Sequence, residues 1–289
     1  MGMRYTGMLG VLLMGIIFIG CKKDQFESDP SNASVALELK NVSYGSGTLQ
    51  KADVYLPANR SQASTKTIIL IHGGSWVGGD KNDLNNSIPL MKASLPNVAF
   101  VNINYTLANG SEATRHPAQM NDLKTLLQFL NSQSAQWKIS QSYTMLGVSA
   151  GGHLGMLYAF SFDTEKQVKL VASIVGPTNL TDPFYVSNAI FQSWMIAYLG
   201  KTFSQDPALF QQLSPLYQVT ASAPPVYLAY GGLDPLVPSS NHTMMETKLK
   251  ELKVPYRYDY YPFEGHEFSN ETILKTVSSF SQFWKLQVP

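Results

Sequence analysis

Apolar residues fall into two alternating patterns along this chain of 289 residues. Thr67-Ile68-Ile69-Leu70-Ile71, Val98 to Tyr105, Tyr143 to Val148, Leu170 to Val175 and Val226 to Tyr230 are short, nearly unbroken apolar runs. Such runs, four of which pass into glycine-rich turns, predict strands buried on both faces. Tyr256 to Tyr261 predicts one more strand near the end of the chain. Between the runs, apolar positions recur at spacings of three and four. They do so at Met120, Leu123, Leu126, Leu127 and Leu130 just after Pro117, at Met244, Leu249 and Leu252, and at Ile273, Val277, Phe280 and Trp284. That spacing lays one face of a helix against a core. Gly152 to Phe160 is a further helical stretch. Strands that alternate with helices and are apolar throughout predict an α/β fold on a mostly parallel central sheet flanked by helices. Val35 to Leu56, broken by Gly45-Ser46-Gly47, predicts an antiparallel hairpin at one sheet edge.

Two segments break the alternation. Leu180 to Ala223 contains no strand pattern but carries Phe184, Tyr185, Phe191, Trp194, Tyr198, Phe203, Phe210 and Tyr217. Two readings stay open for this insert, about 180–223: a cap over a ligand pocket, or helices packed on the sheet as ordinary core. At the other break, Arg4 precedes an apolar run from Met8 to Gly20. As a helix that run is about 20 Å long, too short for a hydrocarbon core of about 30 Å. A charged start, a short apolar middle and a small residue at the end predict a secretory signal peptide over 1–20. Cys21 follows Gly20 directly, and Phe18-Ile19-Gly20-Cys21 resembles a bacterial lipobox, which makes Cys21 the expected lipidation site. Residues 21–32, with Lys22, Lys23, Asp24, Glu27, Asp29 and Pro30, read as a flexible tether. Residues 33–289 then form the folded domain. The expectation is an exported bacterial cell-envelope lipoprotein held to a membrane by its anchor.

Composition narrows the chemistry. Hydrophobic residues at 44% and charged residues at 14% exclude a disordered chain. A net charge of +1 gives no electrostatic case for nucleic acid. One cysteine excludes an internal disulfide framework and a Cys-based zinc cluster, and no two histidines or acids show metal-ligand spacing. Neither a metal nor another cofactor is expected.

The remaining chemistry centres on Gly147-Val148-Ser149-Ala150-Gly151, which joins the strand ending at Val148 to a helix. A tight strand-to-helix turn of this kind presents the serine hydroxyl at the positive end of the helix. A nucleophilic serine needs a base, a group that orients the base, and donors for an oxyanion. Of the histidines that follow it, His153 sits in the helix behind Ser149 and His242 early in a helix after Pro238. His266, in Glu264-Gly265-His266 after the last strand, lies on a strand-end loop and is the expected base. Asp234, in Gly231-Gly232-Leu233-Asp234-Pro235, is the expected acid. Asp163, Asp182 and Asp206 follow no strand as cleanly, and Asp259 lies within one. The loop His72-Gly73-Gly74-Ser75-Trp76 follows a strand upstream. Its Gly73 and Gly74 amides, with the amide of Ala150, are the expected oxyanion hole.

These motifs resemble the α/β-hydrolase superfamily, and within it the hormone-sensitive-lipase-like esterases and the bacterial feruloyl and acetylxylan esterase-like group. The resemblance runs through Tyr44-Gly45, Asp53-Val54-Tyr55-Leu56-Pro57, His72 to Lys81, Asn104-Tyr105-Thr106-Leu107, Gly147 to Gly152, Ser214-Pro215, the Asp234 loop and Glu264-Gly265-His266. It implies an α/β-hydrolase fold with a small cap and a serine carboxylic-ester hydrolase working through an acyl-enzyme. Ser149, Asp234 and His266 would be the triad, and the substrates acetyl or feruloyl esters of polysaccharides or other short-chain esters. Ser75 stands where the common lipase form has a third glycine, and Thr106 where the family usually has arginine. The His-Gly-Gly-x-Trp form also occurs in arylformamidases, so an amide hydrolase is the first alternative. A peptidase of the prolyl-oligopeptidase type is a second, and a catalytically silent binding lipoprotein on the same fold is the alternative from another class.

Overall fold

The computed structural model describes residues 29–288 together with Met1 and Gly2. The expected leader and the lipidation site at Cys21 lie outside the described residues. The last residues of the expected tether lie against the folded chain, where buried Arg60 donates to the Pro30 carbonyl at 2.7 Å.

Among the described residues eight strands form one sheet: β1 (Leu37–Ser43), β2 (Lys51–Leu56), β3 (Thr67–Ile71), β4 (Ala99–Ile103), β5 (Tyr143–Val148), β6 (Val168–Ile174), β7 (Val226–Gly231) and β8 (Tyr256–Tyr261). Their order is β1-β2-β4-β3-β5-β6-β7-β8. The β1–β2 hairpin and the β2–β4 pair are antiparallel, and all pairs from β4 through β3 to β8 are parallel. The predicted edge hairpin and parallel sheet are both present. β3, β4 and β7 are buried along their whole length, as their unbroken apolar runs require.

Among the described residues nine α-helices cover the faces: α1 (Ile88–Ser94), α2 (Ala118–Trp137), α3 (Ala150–Leu157), α4 (Pro183–Ser187), α5 (Ala189–Leu199), α6 (Pro207–Gln212), α7 (Pro215–Gln218), α8 (Ser239–Glu251) and α9 (Asn270–Gln287). The twofold repeat of each strand divides its side chains between two cores. Ile69 and Ile71 of β3 belong to the same core as Leu123, Leu126 and Leu130 of α2 and Met245 and Leu249 of α8. Ile68 and Leu70 pack on the opposite face with Met91 of α1 and with Phe280 and Trp284 of α9. In α8 the buried stripe runs through Asn241, His242, Met245 and Leu249, whereas Met244, expected on that face, is exposed. The stripe is displaced because the Asn241 side chain is drawn inward, where its oxygen accepts the amides of Thr178 and Asn179 at 2.8 Å.

The insert between β6 and β7 is helical (α4–α7), and both readings of its aromatics hold for different residues. Tyr198 is fully buried and stacks on Trp76 with ring centroids 4.9 Å apart, an ordinary core role. Tyr185, Phe191 and Trp194 line a cavity beside Ser149.

Burial sets the acid limit of this fold. His116, His153 and His242 are all held down to about 4 by loss of hydration. His153 is satisfied only when neutral: its Nε2–H donates to the Leu213 carbonyl at 2.8 Å while its Nδ1 accepts the Trp76 indole N–H at 3.2 Å. The unfolded chain takes protons on these groups near the ordinary histidine value, whereas the folded chain resists until about pH 4. Stability is therefore fully present above about pH 6.5 and is lost as the pH falls from there to about 4. His153 alone contributes on the order of 3 kcal/mol to that loss. Urea unfolding at pH 7, 5.5 and 4.5 is expected to show a falling midpoint, and a flat profile would contradict the burial argument.

Candidate active site

The turn from β5 into α3 is built by its glycines. A Cβ on Gly147 would fall on the carbonyl group of Gly151, and one on Gly151 would fall on the carbonyl of Ile71 at the end of the neighbouring strand. With both absent, α3 starts against the sheet and Ser149 is forced into the left-handed region at φ 53°, ψ −121°. Its amide donates to the Ile174 carbonyl of β6 at 2.8 Å and its carbonyl accepts the His153 amide at 3.1 Å, which fix the bend. The hydroxyl thereby stands out at the C-terminal edge of the sheet, the usual place for a site in open α/β folds.

Asp234 and His266 leave the same edge from β7 and β8. Their loops are stitched together by Gly232 N–H to the Tyr261 carbonyl (2.9 Å) and Leu233 N–H to the Glu264 carbonyl (2.8 Å). One carboxylate oxygen of Asp234 accepts the amides of Leu236 and Val237 at 2.8 and 3.0 Å. The other accepts His266 Nδ1–H at 2.8 Å. His266 Nε2 in turn accepts the Ser149 hydroxyl at 2.9 Å, across 117 residues of sequence. The Asp234 side chain is 1% exposed and that of His266 15%, so the acid is shielded from water while the imidazole reaches the cavity. With Nδ1–H committed to Asp234, the tautomer left at Nε2 is the acceptor, as a base for a hydroxyl must be.

The other acids and histidines considered from sequence serve structure. Asp182 and Asp206 cap the starts of α4 and α6, and Asp259 accepts from Arg257 and Tyr227. His242 pairs with the Tyr258 hydroxyl at 2.6 Å. Glu264 anchors the His266 loop to the start of α9. The Ser269 hydroxyl, the Thr272 hydroxyl and the Ser269 amide all donate to its carboxyl and hold it below the usual carboxylate range.

The loop after β3 is held from below. Buried Lys81 pairs with Asp53 at 3.0 Å, and Asn104 accepts the Lys81 amide at 2.6 Å while donating to Asp80 at 2.7 Å. At Thr106, where arginine is usual in the family the chain resembles, only the backbone is engaged, its amide donating to Asp122 at 2.6 Å. Gly74 has φ +104°, and a Cβ there would strike the Gly78 carbonyl, so only glycine fits. The amides of Gly73, Gly74 and Ala150 find no acceptor among the described residues and flank Ser149, available to an incoming oxygen.

Two cavities meet at Ser149. One, of about 610 Å³, runs between α1 and α9 down to the sheet and includes His266, Met91, Leu146 and Val277 in its walls. The other, of about 20 Å³, lies on the insert side between Ala150, Tyr185, Phe191, Trp194 and Met195. Beyond Ser149, His266 and the oxyanion-hole residues, nothing in the sequence singles out which side chains form these walls. Trp194 was visible only as one aromatic among eight in the insert, and Met91 and Val277 look like ordinary positions on helix faces. Among the described residues no group of three or more His, Cys, Asp or Glu side chains is placed to hold a metal. Among the same residues no helix is long and apolar enough to cross a membrane.

The architecture has many relatives. A carbohydrate esterase from gut microbiota, solved in a truncated form, superposes with a TM-score of 0.73 at 19% identity, over 90% of this chain and 99% of that one. This likeness is one of fold, the α/β-hydrolase fold. In sequence, Esterase LipC and Esterase LipQ of Mycobacterium tuberculosis are each 23% identical to it, over 79% and 75% of the chain. The chain spans 59% and 53% of the lengths of these two relatives. The BD-FAE family model matches residues 52–249, from β2 through α8, a span that takes in Gly73, Gly74, Ser149, Ala150 and Asp234 and stops short of His266. Matched over more than half its length by that model, the chain belongs to the BD-FAE family, on an α/β-hydrolase fold.

Proposed function

We propose that the protein is a serine hydrolase of carboxylic esters. The observation that carries this reading is the hydrogen-bonded line Asp234–His266–Ser149, each member at the end of a different parallel strand. Ser149 Oγ attacks the ester carbonyl as His266 Nε2 takes its proton. The oxyanion settles on the amides of Gly73, Gly74 and Ala150. His266 then gives the proton to the departing alcohol, and water repeats the sequence on the acyl-enzyme to release the acid. Asp234 keeps His266 in the tautomer this needs. Membership of the BD-FAE family and the esterase names of the two mycobacterial relatives support the same chemistry. Short acyl esters are the substrate class we assign, in keeping with the esterase names of the mycobacterial relatives.

Of the Ser75-Trp76 pair, which resembles arylformamidases, both residues border the small cavity at Ser149, and the Trp76 indole is buried, stacked on Tyr198 and bonded to His153. The deciding assay compares p-nitrophenyl acetate with N-formylkynurenine. Faster turnover of the acetate by at least tenfold is expected. Faster turnover of the formamide would replace the esterase reading, and silence on both substrates with no labelling by a phosphonate serine probe would leave a binding protein.

The apolar run Met8 to Gly20 followed by Cys21 supports export and anchoring through an acylated Cys21. In a bacterial host the full chain is expected in the membrane fraction and Cys21→Ser in the soluble one. Equal partitioning of both forms would remove the anchor.

A further inference from the structure

We infer that the site divides its ester at Ser149, with the acyl group in the small aromatic compartment of the insert and the alcohol in the cleft between α1 and α9. The substrates this selects are acetate esters of alcohols with a hydrophobic body. The inference rests on Ser149 being the nucleophile and adds which half of the substrate goes where.

The assignment comes from the tetrahedral intermediate. Its carbon carries four groups: Ser149 Oγ, the oxyanion, the acyl substituent and the leaving oxygen. As the bond from carbon to the leaving oxygen breaks, that oxygen takes a proton from His266 Nε2, so the alcohol must lie on the His266 side. His266 borders the 610 Å³ cleft and is absent from the walls of the 20 Å³ compartment. Gly73 and Gly74 border the cleft and Ala150 borders the small compartment, so an oxyanion held by all three amides lies where the two meet, and the small compartment is the space left for the acyl substituent. The acyl substituent is thereby turned toward Trp194 and the alcohol toward α1 and α9.

The sizes then set the preference. About 20 Å³ is room for roughly one water-sized group, which accepts the methyl of an acetyl group. Two further methylenes, or a feruloyl group, would have to displace Trp194 or Met195. The cleft of about 610 Å³ is within the usual range for small-molecule sites. Leu70 and Leu146 form its floor and Met91, Val277 and Phe280 its sides, while polar groups such as Asp83, Ser87 and Thr276 are the minority. An alcohol that fills this cleft leaves water by its apolar surface, which favours alkyl or aryl bodies over a bare sugar hydroxyl.

The test is a set of kcat/KM ratios measured on the purified full-length protein. In the acyl series, p-nitrophenyl acetate is expected to exceed the butyrate by at least about tenfold, the range of a misfit methylene. In the alcohol series, hexyl acetate is expected to exceed methyl acetate by about tenfold or more, the two leaving groups being close in basicity. Trp194→Ala should raise the butyrate-to-acetate ratio about tenfold, and Val277→Trp should lower the hexyl-to-methyl ratio by a similar factor. Each ratio is internal to one preparation, so partial misfolding of a variant does not move it. A wild-type preference that rises from acetate to octanoate, with Val277→Trp depressing the octanoate, would put the acyl chain in the cleft and overturn the division. Hydrolysis surviving in Ser149→Ala would instead overturn the nucleophile itself.

Discussion

Ser149→Ala is expected to lower kcat on p-nitrophenyl acetate by about a million-fold, the scale of loss when a serine nucleophile is removed. The fold should be left nearly untouched. Among the described residues the Ser149 hydroxyl has one partner, His266 Nε2, and the bonds that shape the turn belong to its backbone: the amide to Ile174 and the carbonyl from the His153 amide. Alanine keeps both, and it inherits the same positive φ, so the strain of the turn is unchanged. The hydroxyl is partly exposed to the cavity, and its loss leaves no buried donor stranded. A thermal midpoint within a few degrees of the parent's is therefore expected. The Gly73, Gly74 and Ala150 amides survive the substitution, so a residual rate above that of water alone should persist. A folded variant that still hydrolyses at more than about a thousandth of the parental rate would take the nucleophile's role away from Ser149.

Much of this arrangement is legible in the sequence, and the reason is geometric. In a parallel sheet every strand delivers its chain to the same edge, so a chemical residue placed just after an apolar run is committed to that edge. Ser149 after β5, Asp234 after β7 and His266 after β8 meet for this reason, although 117 residues separate the first from the last. The limits of β3, β5 and β8 match the apolar or alternating runs because glycines or loop residues stop each one. Helix faces are less legible: in α8 the difference between Met244 and Met245 is one residue, decided by a hydrogen bond that Asn241 accepts from the Asn179 amide, 62 positions away. The compartments were not legible at all. A cavity is defined by where side chains stop short of one another, and Met91 with Val277 carry the same pattern whether they meet or leave a cleft. The aromatic insert shows the same limit. Tyr198 and Trp194 are four residues apart on α5, yet one stacks in the core and the other borders the site.

Asp234→Asn is expected to lower kcat by about ten-thousand-fold while leaving substrate affinity close to the parent's. The asparagine oxygen can still accept the amides of Leu236 and Val237, so the loop and its junction with the His266 loop persist. What faces His266 Nδ1 is then an N–H where a carboxylate oxygen had been. Two donors cannot pair, so the imidazole gives up the proton at Nδ1 and carries it on Nε2. That nitrogen now points a hydrogen at the Ser149 hydroxyl, which it had accepted at 2.9 Å, and the serine loses its base. The buried position of the Asp234 side chain keeps water from substituting for the lost acceptor. Asp234→Ala is the less clean experiment, because it also frees the two amides that hold the loop and adds a stability loss to the catalytic one. The measurement is kcat and KM of Asp234→Asn across pH 6 to 10, beside its unfolding midpoint. Turnover within tenfold of the parent's at pH 7, in a variant of parental stability, would mean that His266 needs no partner and that Asp234 serves only its own turn.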